Sequence, residues 1–186
     1  MDYMTSWLEW YGIKYSYLFL IVLTLAALEV QIEGKHGWMK KIPTWRVKSK
    51  IFGFFMGGKE LTGYLFYTLL LLILFFHFPF LGGATWSFAA EIEIISLLVL
   101  FSVFWDFLWF IINPYYGIKR FKKQYVYWHT QWFLGVPLDY IRGIAVSCGI
   151  SLIAFPLGFA KWLYALCIFM LGTFVIIGIR RIVSKF

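Results

Sequence analysis

From Glu91 to Pro114 the chain reads EIEIISLLVLFSVFWDFLWFIINP. After Glu93, the only polar side chains before Asn113 are Ser96, Ser102 and Asp106. A helix of this length rises about 1.5 Å per residue and crosses a hydrocarbon core about 30 Å thick. Asn113-Pro114 breaks it, because proline lacks an amide proton and clashes with the preceding turn. The stretch decides the fold class: a helix apolar on every side, with one carboxylate set deep inside it.

Four further stretches repeat the format. The spacing predicts five spans, at about 15–33, 62–82, 92–113, 134–155 and 162–179. Gly82-Gly83, Asn113-Pro114 and Pro156 with Gly158 punctuate them. Of the 186 residues 62% are hydrophobic and only 14% charged, and the mean hydropathy is +0.78. That leaves too little polar surface to cover a water-soluble core, which excludes a soluble enzyme and a disordered chain. Cys148 and Cys167 both lie in apolar runs, so neither a disulfide scaffold nor a cysteine metal pair is expected. The expected architecture is an all-α integral membrane protein, one domain over residues 1–186, built as a bundle of five transmembrane helices. Asp2 and Glu9 stand where a signal peptide would carry basic residues, so the first span is expected to be retained.

The net charge of +8 comes from basic residues placed between the spans, which points away from a nucleic-acid partner. Seven follow the first span (Lys35, Lys40, Lys41, Arg46, Lys48, Lys50, Lys59) and four follow the third (Lys119, Arg120, Lys122, Lys123). Three more, Arg180, Arg181 and Lys185, end the chain. Only Lys14 and Lys161 fall on the opposite side. The positive-inside rule puts the larger group in the cytoplasm, with the N-terminus outside, in a cytoplasmic-type membrane. Tryptophans near the span ends read as interfacial anchors, and residues 51–58 as a short segment lying in the interface.

Ionisable groups inside a membrane are costly and face a bundle interior, a cavity or a partner. Asp106 and Asp139 are expected about 9 Å inside the cytoplasmic boundary, and Glu29 about 6 Å inside it. Glu29, Glu33 and His36 fall at i, i+4 and i+7 of one helix, Glu60 with Tyr64 and Tyr67 on the next, and Asp106 with Asn113 on the third. Asp139 and Arg142, at i and i+3, share a face of the fourth and read as an internal ion pair. Gly143, Ser147 and Ser151 form a small-residue ridge for close helix packing. His129 lies at the cytoplasmic mouth of the fourth span, whereas His77 reads as an outer interface residue. The convergence of four polar stripes at one membrane face is the main functional signal.

Glu33-Gly-Lys-His36 has the Glu-x-x-His spacing of carboxylate-bridged metal sites, but it occurs once, and Gly34 threatens the helix before His36. The expected ligand set is Glu29, Glu33, His36, Glu60, Asp106 and His129, an oxygen-rich group suited to a divalent metal. Iron or manganese is favoured, with magnesium, calcium and zinc left open. Asp106, His129, Asp139 and Arg142 are the expected catalytic residues. Gly53 to Lys59 matches most of a phosphate-binding loop, but Glu60 replaces the hydroxyl residue and no βαβ unit surrounds it, so it is set aside.

Three functions compete at this stage. The first is a metal-assisted membrane enzyme acting on a lipid or other apolar substrate. The second is a proton- or cation-coupled transporter or channel, an oligomer if it forms a pore. The third is a non-catalytic membrane subunit whose acids and bases pair one another. Membrane lipids are the expected partners in all three.

Overall fold

A computed structural model describes the backbone of residues 3–183. The long helices are α1 (Tyr3–Glu33), α3 (Gly63–Leu81), α4 (Phe88–Ile112) and α6 (Leu157–Val183). Each is long and apolar enough to cross a membrane, counting Trp7–Glu33 for α1. Between α1 and α3 lie β1 (Arg46–Val47), the short helix α2 (Lys50–Phe55) and β2 (Leu61–Thr62). A long connection after α4 leads to the hairpin β3 (Trp132–Phe133) and β4 (Val136–Pro137), and then to α5 (Leu138–Leu152).

The expected span over 134–155 is shorter than the sequence pattern implies. Leu134 (φ 48°) and Gly135 (φ 80°) form a two-residue turn, and Phe133 pairs with Val136 across it. Positive φ at both central residues is what a tight hairpin needs. The helix therefore starts at Leu138 and has 15 residues, about 22 Å by helical rise. Four helices, not five, meet the length of a bilayer core among the described residues.

Helix α4 is the axis of the bundle and packs against α1, α3, α5 and α6. Leu100, Phe101, Phe104, Leu108 and Phe110 are buried along it, as expected of a helix apolar all round. The ridge on α5 meets it at Ser147, whose hydroxyl donates to Ser96 O at 2.7 Å, while Ser96 Oγ donates to Ser147 O at 2.9 Å. Trp162 Nε1 on α6 closes the triangle on Ser147 Oγ at 2.8 Å. Helix starts are capped by side chains that accept the otherwise unpaired first amides: Thr62 from Leu65, and Ser87 from Ala90. Helix α3 turns Leu71, Leu74, Phe75 and Phe78 outward, a face fit for lipid.

The described residues of all three basic segments lie at one end of the bundle, because Asn113 Nδ2 donates to Gly34 O at 2.8 Å and Arg180 Nε to Ile111 O at 3.3 Å. At the other end Glu93 takes both remaining lysines, Lys14 at 2.6 Å and Lys161 at 2.7 Å. His77 also lies there, 3.0 Å from Glu91. Asp106 stands thirteen positions after Glu93 on α4, so the two charged layers are about 20 Å apart.

Helices α1 and α6 touch through Gly172, where an added Cβ would stand 2.5 Å from the Phe19 ring. Phe169, 5.8 Å away centre to centre, holds that ring in place. Gly172→Ala is therefore expected to cost about 1–3 kcal/mol and to lower the melting temperature. Gly178→Ala on the same helix meets nothing within 4 Å and should leave it unchanged or slightly raised. Thermal unfolding of both variants in one detergent checks the pair.

Candidate functional site

Two long connections fold under the basic end, and each delivers one cation into the bundle. In the first, Gly57 (φ 64°) and Gly58 (φ 89°) turn the chain after α2 so that Lys59 enters rather than leaves. Lys59 is 6% exposed. In the second, Trp128 stacks on Phe110 with centroids 5.7 Å apart, and this seats the next residue, His129, whose side chain is sealed from solvent. Thr130 Oγ1 donates to Gly57 O at 2.6 Å and ties the two connections together.

The cations meet at α5. Asp139 Oδ2 accepts from Lys59 Nζ at 2.9 Å and contacts His129 Nδ1 at 2.8 Å. On the other side of the imidazole, Nε2 lies 3.2 Å from Asp106 Oδ2, off the hydrogen-bond direction, so this is an ion-pair contact. Tyr140 donates its hydroxyl proton to the same oxygen of Asp106. The result is a continuous chain, Lys59–Asp139–His129–Asp106–Tyr140, drawn from two connections and two helices. Burial works against a charged His129, but the Asp106 and Asp139 carboxylates outweigh it and hold the imidazole above its ordinary value of 6.5.

Asp106 is the member of this chain that faces open space; its side chain is 32% exposed. It lines a cavity of about 130 Å³ bounded by α1, α3 and α4, together with Glu29, Glu33, Trp105 and Trp109. It also lines a second cavity, of about 220 Å³, between α4 and α5. Ser102 and Met56 belong to both walls, so the carboxylate stands between two chambers.

The expected residues fare differently. Asp106, His129 and Asp139 meet in one cluster, and Glu29 and Glu33 reach the first chamber. His36 does not join them. Helix α1 ends at Glu33, Gly34 adopts φ 58°, and His36 turns outward, held below its usual value by slight desolvation and by Lys41, Lys35 and Lys40. Glu60 precedes α3 instead of riding on it, and its carbonyl accepts from Trp38 Nε1 at 3.2 Å. Tyr67 points to the outside. Asn113 is a clamp, donating to Gly34 O and accepting from Tyr115 N at 2.9 Å.

Arg142 is not the partner of Asp139. It donates to Phe54 O at 2.9 Å, on the last turn of α2, and to Gln131 Oε1 at 3.0 Å. Carbonyls on the last turn of a helix point away from its body, and a guanidinium bonds to them well. Glu33 is largely structural: it accepts the Met39 amide, stabilising a turn in which Trp38 and Met39 both take positive φ.

Among the described residues, no three His, Cys, Asp or Glu side chains gather as a metal-donor set. Asp106 and Asp139 are spent on His129, and Lys59 brings the positive charge that an ion would supply. Lys59 and Tyr140 are the members of the chain that the expected set omits. Their contacts span 80 and 34 residues, beyond helical periodicity, although a lone lysine after two glycines in an apolar run is a weak cue.

No family model, curated protein or solved structure is significantly similar to this chain.

Two expectations follow. Lys59→Met leaves Asp139 short of a countercharge and should cost about 3–5 kcal/mol, part of which returns when Asp139→Leu is added. The raised value of His129 means that its stabilising contribution is complete below about pH 6.5 and is lost as pH rises through the folded value. The melting-temperature advantage of wild type over His129→Gln should therefore shrink with rising pH; a widening gap would contradict the assignment.

Proposed function

We propose that the protein is an integral membrane enzyme that transfers protons on an amphiphilic substrate, with Asp106 as the group that touches it. The carrying observation is an acid–base chain in which one carboxylate, Asp106, opens onto two chambers. Asp106 takes or gives the proton, and His129, sealed behind it, is the reservoir. Asp139 and Lys59 set the imidazole's orientation and charge, and Tyr140 steadies the reacting oxygen. His129 is thus a positioning and relay residue, not one that meets substrate. Arg142, on the wall of the second chamber, is suited to an anionic portion of the substrate. The metal-assisted form of this reading loses support, because the carboxylates already serve the histidine and lysine.

The proposed setting is a five-crossing topology with the basic end in the cytoplasm. Helix α5 carries the chain from the Asp106 layer towards the Glu93 layer, where Lys161 on α6 pairs, and the hairpin before it and the turn after it supply the missing length. Thirteen basic residues at one end, counted among the described residues, favour that end as the inside. The exposed Ile51 and Phe54 of α2 suit an interfacial position at the same face.

The transporter alternative has less support. Between the charged layers the serine hydroxyls of α4 and α5 either join the Ser96–Ser147–Trp162 triangle or bond within their own helices. A closed triangle offers no conduit to water or ions.

Untargeted mass spectrometry tests the enzyme reading without a known substrate. Purified protein is incubated with a total membrane lipid extract in deuterated buffer. Wild type should generate a lipid species or a solvent-derived mass shift that Asp106→Asn reduces about 100-fold or more, the usual scale for a general acid–base group. Unchanged lipids, with Asp106-dependent proton flux in proteoliposomes, would overturn the reading in favour of transport. Elemental mass spectrometry of the same preparation is expected to find transition metal well below one per chain.

A further inference from the structure

The first chamber has a composition that the acid–base chain does not explain. Glu29, Glu33 and Asp106 bring three carboxylates to it, while Trp38, Trp105 and Trp109 supply aromatic wall. Glu33 is occupied by the Met39 amide and Asp106 by Tyr140 and His129. Glu29 is 7% exposed and makes no hydrogen bond or ion pair among the described residues. A carboxyl group so buried, in a helix that crosses a membrane, needs a countercharge or a proton. The nearby cations are committed elsewhere: Lys59 to Asp139, His129 between two aspartates, and Arg46 to Met39 O.

We propose that this chamber binds an organic ammonium group, with Glu29 as its countercharge and the indoles as its walls. A positive charge over an aromatic face is attracted by the ring quadrupole, and the effect grows when water is excluded. The protein already contains one such contact at the rim: Lys59 Nζ lies 4.5 Å from the centre of the Trp38 ring. A metal ion fits less well, since three carboxylates with two of them engaged leave too few donors, whereas an alkylammonium needs only one carboxylate and aromatic surface. A chamber of about 130 Å³ suits a small ammonium head, not a whole lipid. The remainder of an amphiphile would extend past Leu65 and Leu69 of α3, the apolar wall of the chamber. This rests on the proposed function only for its link to catalysis, since it makes the ammonium the head of the substrate that Asp106 acts on. Binding itself stands apart from turnover.

Calorimetric titration in a maltoside detergent provides the test. The probes are choline, its uncharged carbon isostere 3,3-dimethylbutanol, and dodecyltrimethylammonium below its micellar concentration. Choline should bind and the neutral isostere should bind at least about tenfold more weakly, the step that the charge alone contributes. Glu29→Gln, an isosteric change that removes only the charge, should lose choline about tenfold or more while melting no lower than wild type. Trp105→Phe, which keeps an aromatic face, should retain most of the affinity. If dodecyltrimethylammonium binds much more tightly than choline, the source is a lipid head; equal affinities identify a free amine. Equal binding of choline and its isostere, undiminished binding by Glu29→Gln, or no binding of either ammonium by folded wild type would overturn the proposal. Choline binding with no lipid turnover would sink the enzyme reading and leave this site standing. Turnover of a substrate without an amine, with no choline binding, would do the reverse.

Discussion

One oxygen atom organises the basic end of this molecule. Asp139 Oδ2 receives Lys59 from one connection and His129 from the other, at 2.9 and 2.8 Å. Away from water an ion pair is stabilising only if its geometry is good and its remaining valences are met, and removal of one partner is far worse than removal of both. The site meets that condition by surrounding the charges: Trp38 lies against the lysine, Trp132 bonds the His129 carbonyl at 2.7 Å, and Asp106 faces the far ring nitrogen. Without Asp139, Lys59 would enter an apolar bundle unpaired and His129 would keep only its contact with Asp106. Their folded path under the helices depends on this anchor.

The same economy governs the whole bundle. Helix α4 carries almost no polar side chain between Glu93 and Asp106, so charge is confined to two layers about 20 Å apart. The Glu93 layer balances one acid against two lysines and leaves little chemistry to perform. The Asp106 layer holds an excess of carboxylates, two chambers and an acid whose surface is open. The proposed chemistry is placed at that layer, where Glu29, Glu33, Asp106 and Asp139 outnumber the Lys59 and His129 cations among them.

The helical bundle was legible from apolar run length, and the charged layers from the depth of Glu29, Asp106 and Asp139, because hydropathy and helical rise fix both. Arg142 shows where that reasoning stops. Spacing at i and i+3 puts it beside Asp139, yet the guanidinium is taken instead by the Phe54 carbonyl on α2. Likewise Leu134, Gly135 and Val136 read as the start of a span because a hairpin among apolar neighbours has the composition of one; the positive φ at Leu134 leaves no composition trace. His36 was expected on the face of Glu29 and Glu33, and Gly34, already recognised as a stop, removes it. Lys59 and Tyr140 reach their partners only through tertiary folding, and no local pattern encodes contacts of that range.

The central claim is that His129 is held as a cation between Asp139 and Asp106. Nitrogen NMR of histidine-labelled protein in nanodiscs reads this directly, with His129 assigned from His129→Gln. At pH 6.5, both imidazole nitrogens should be protonated in more than half of the molecules, and the midpoint should lie above that pH. A neutral ring at pH 6.5, with one bare nitrogen, would contradict the account: the chain from Lys59 to Asp106 would then be broken at His129 and not a charged relay.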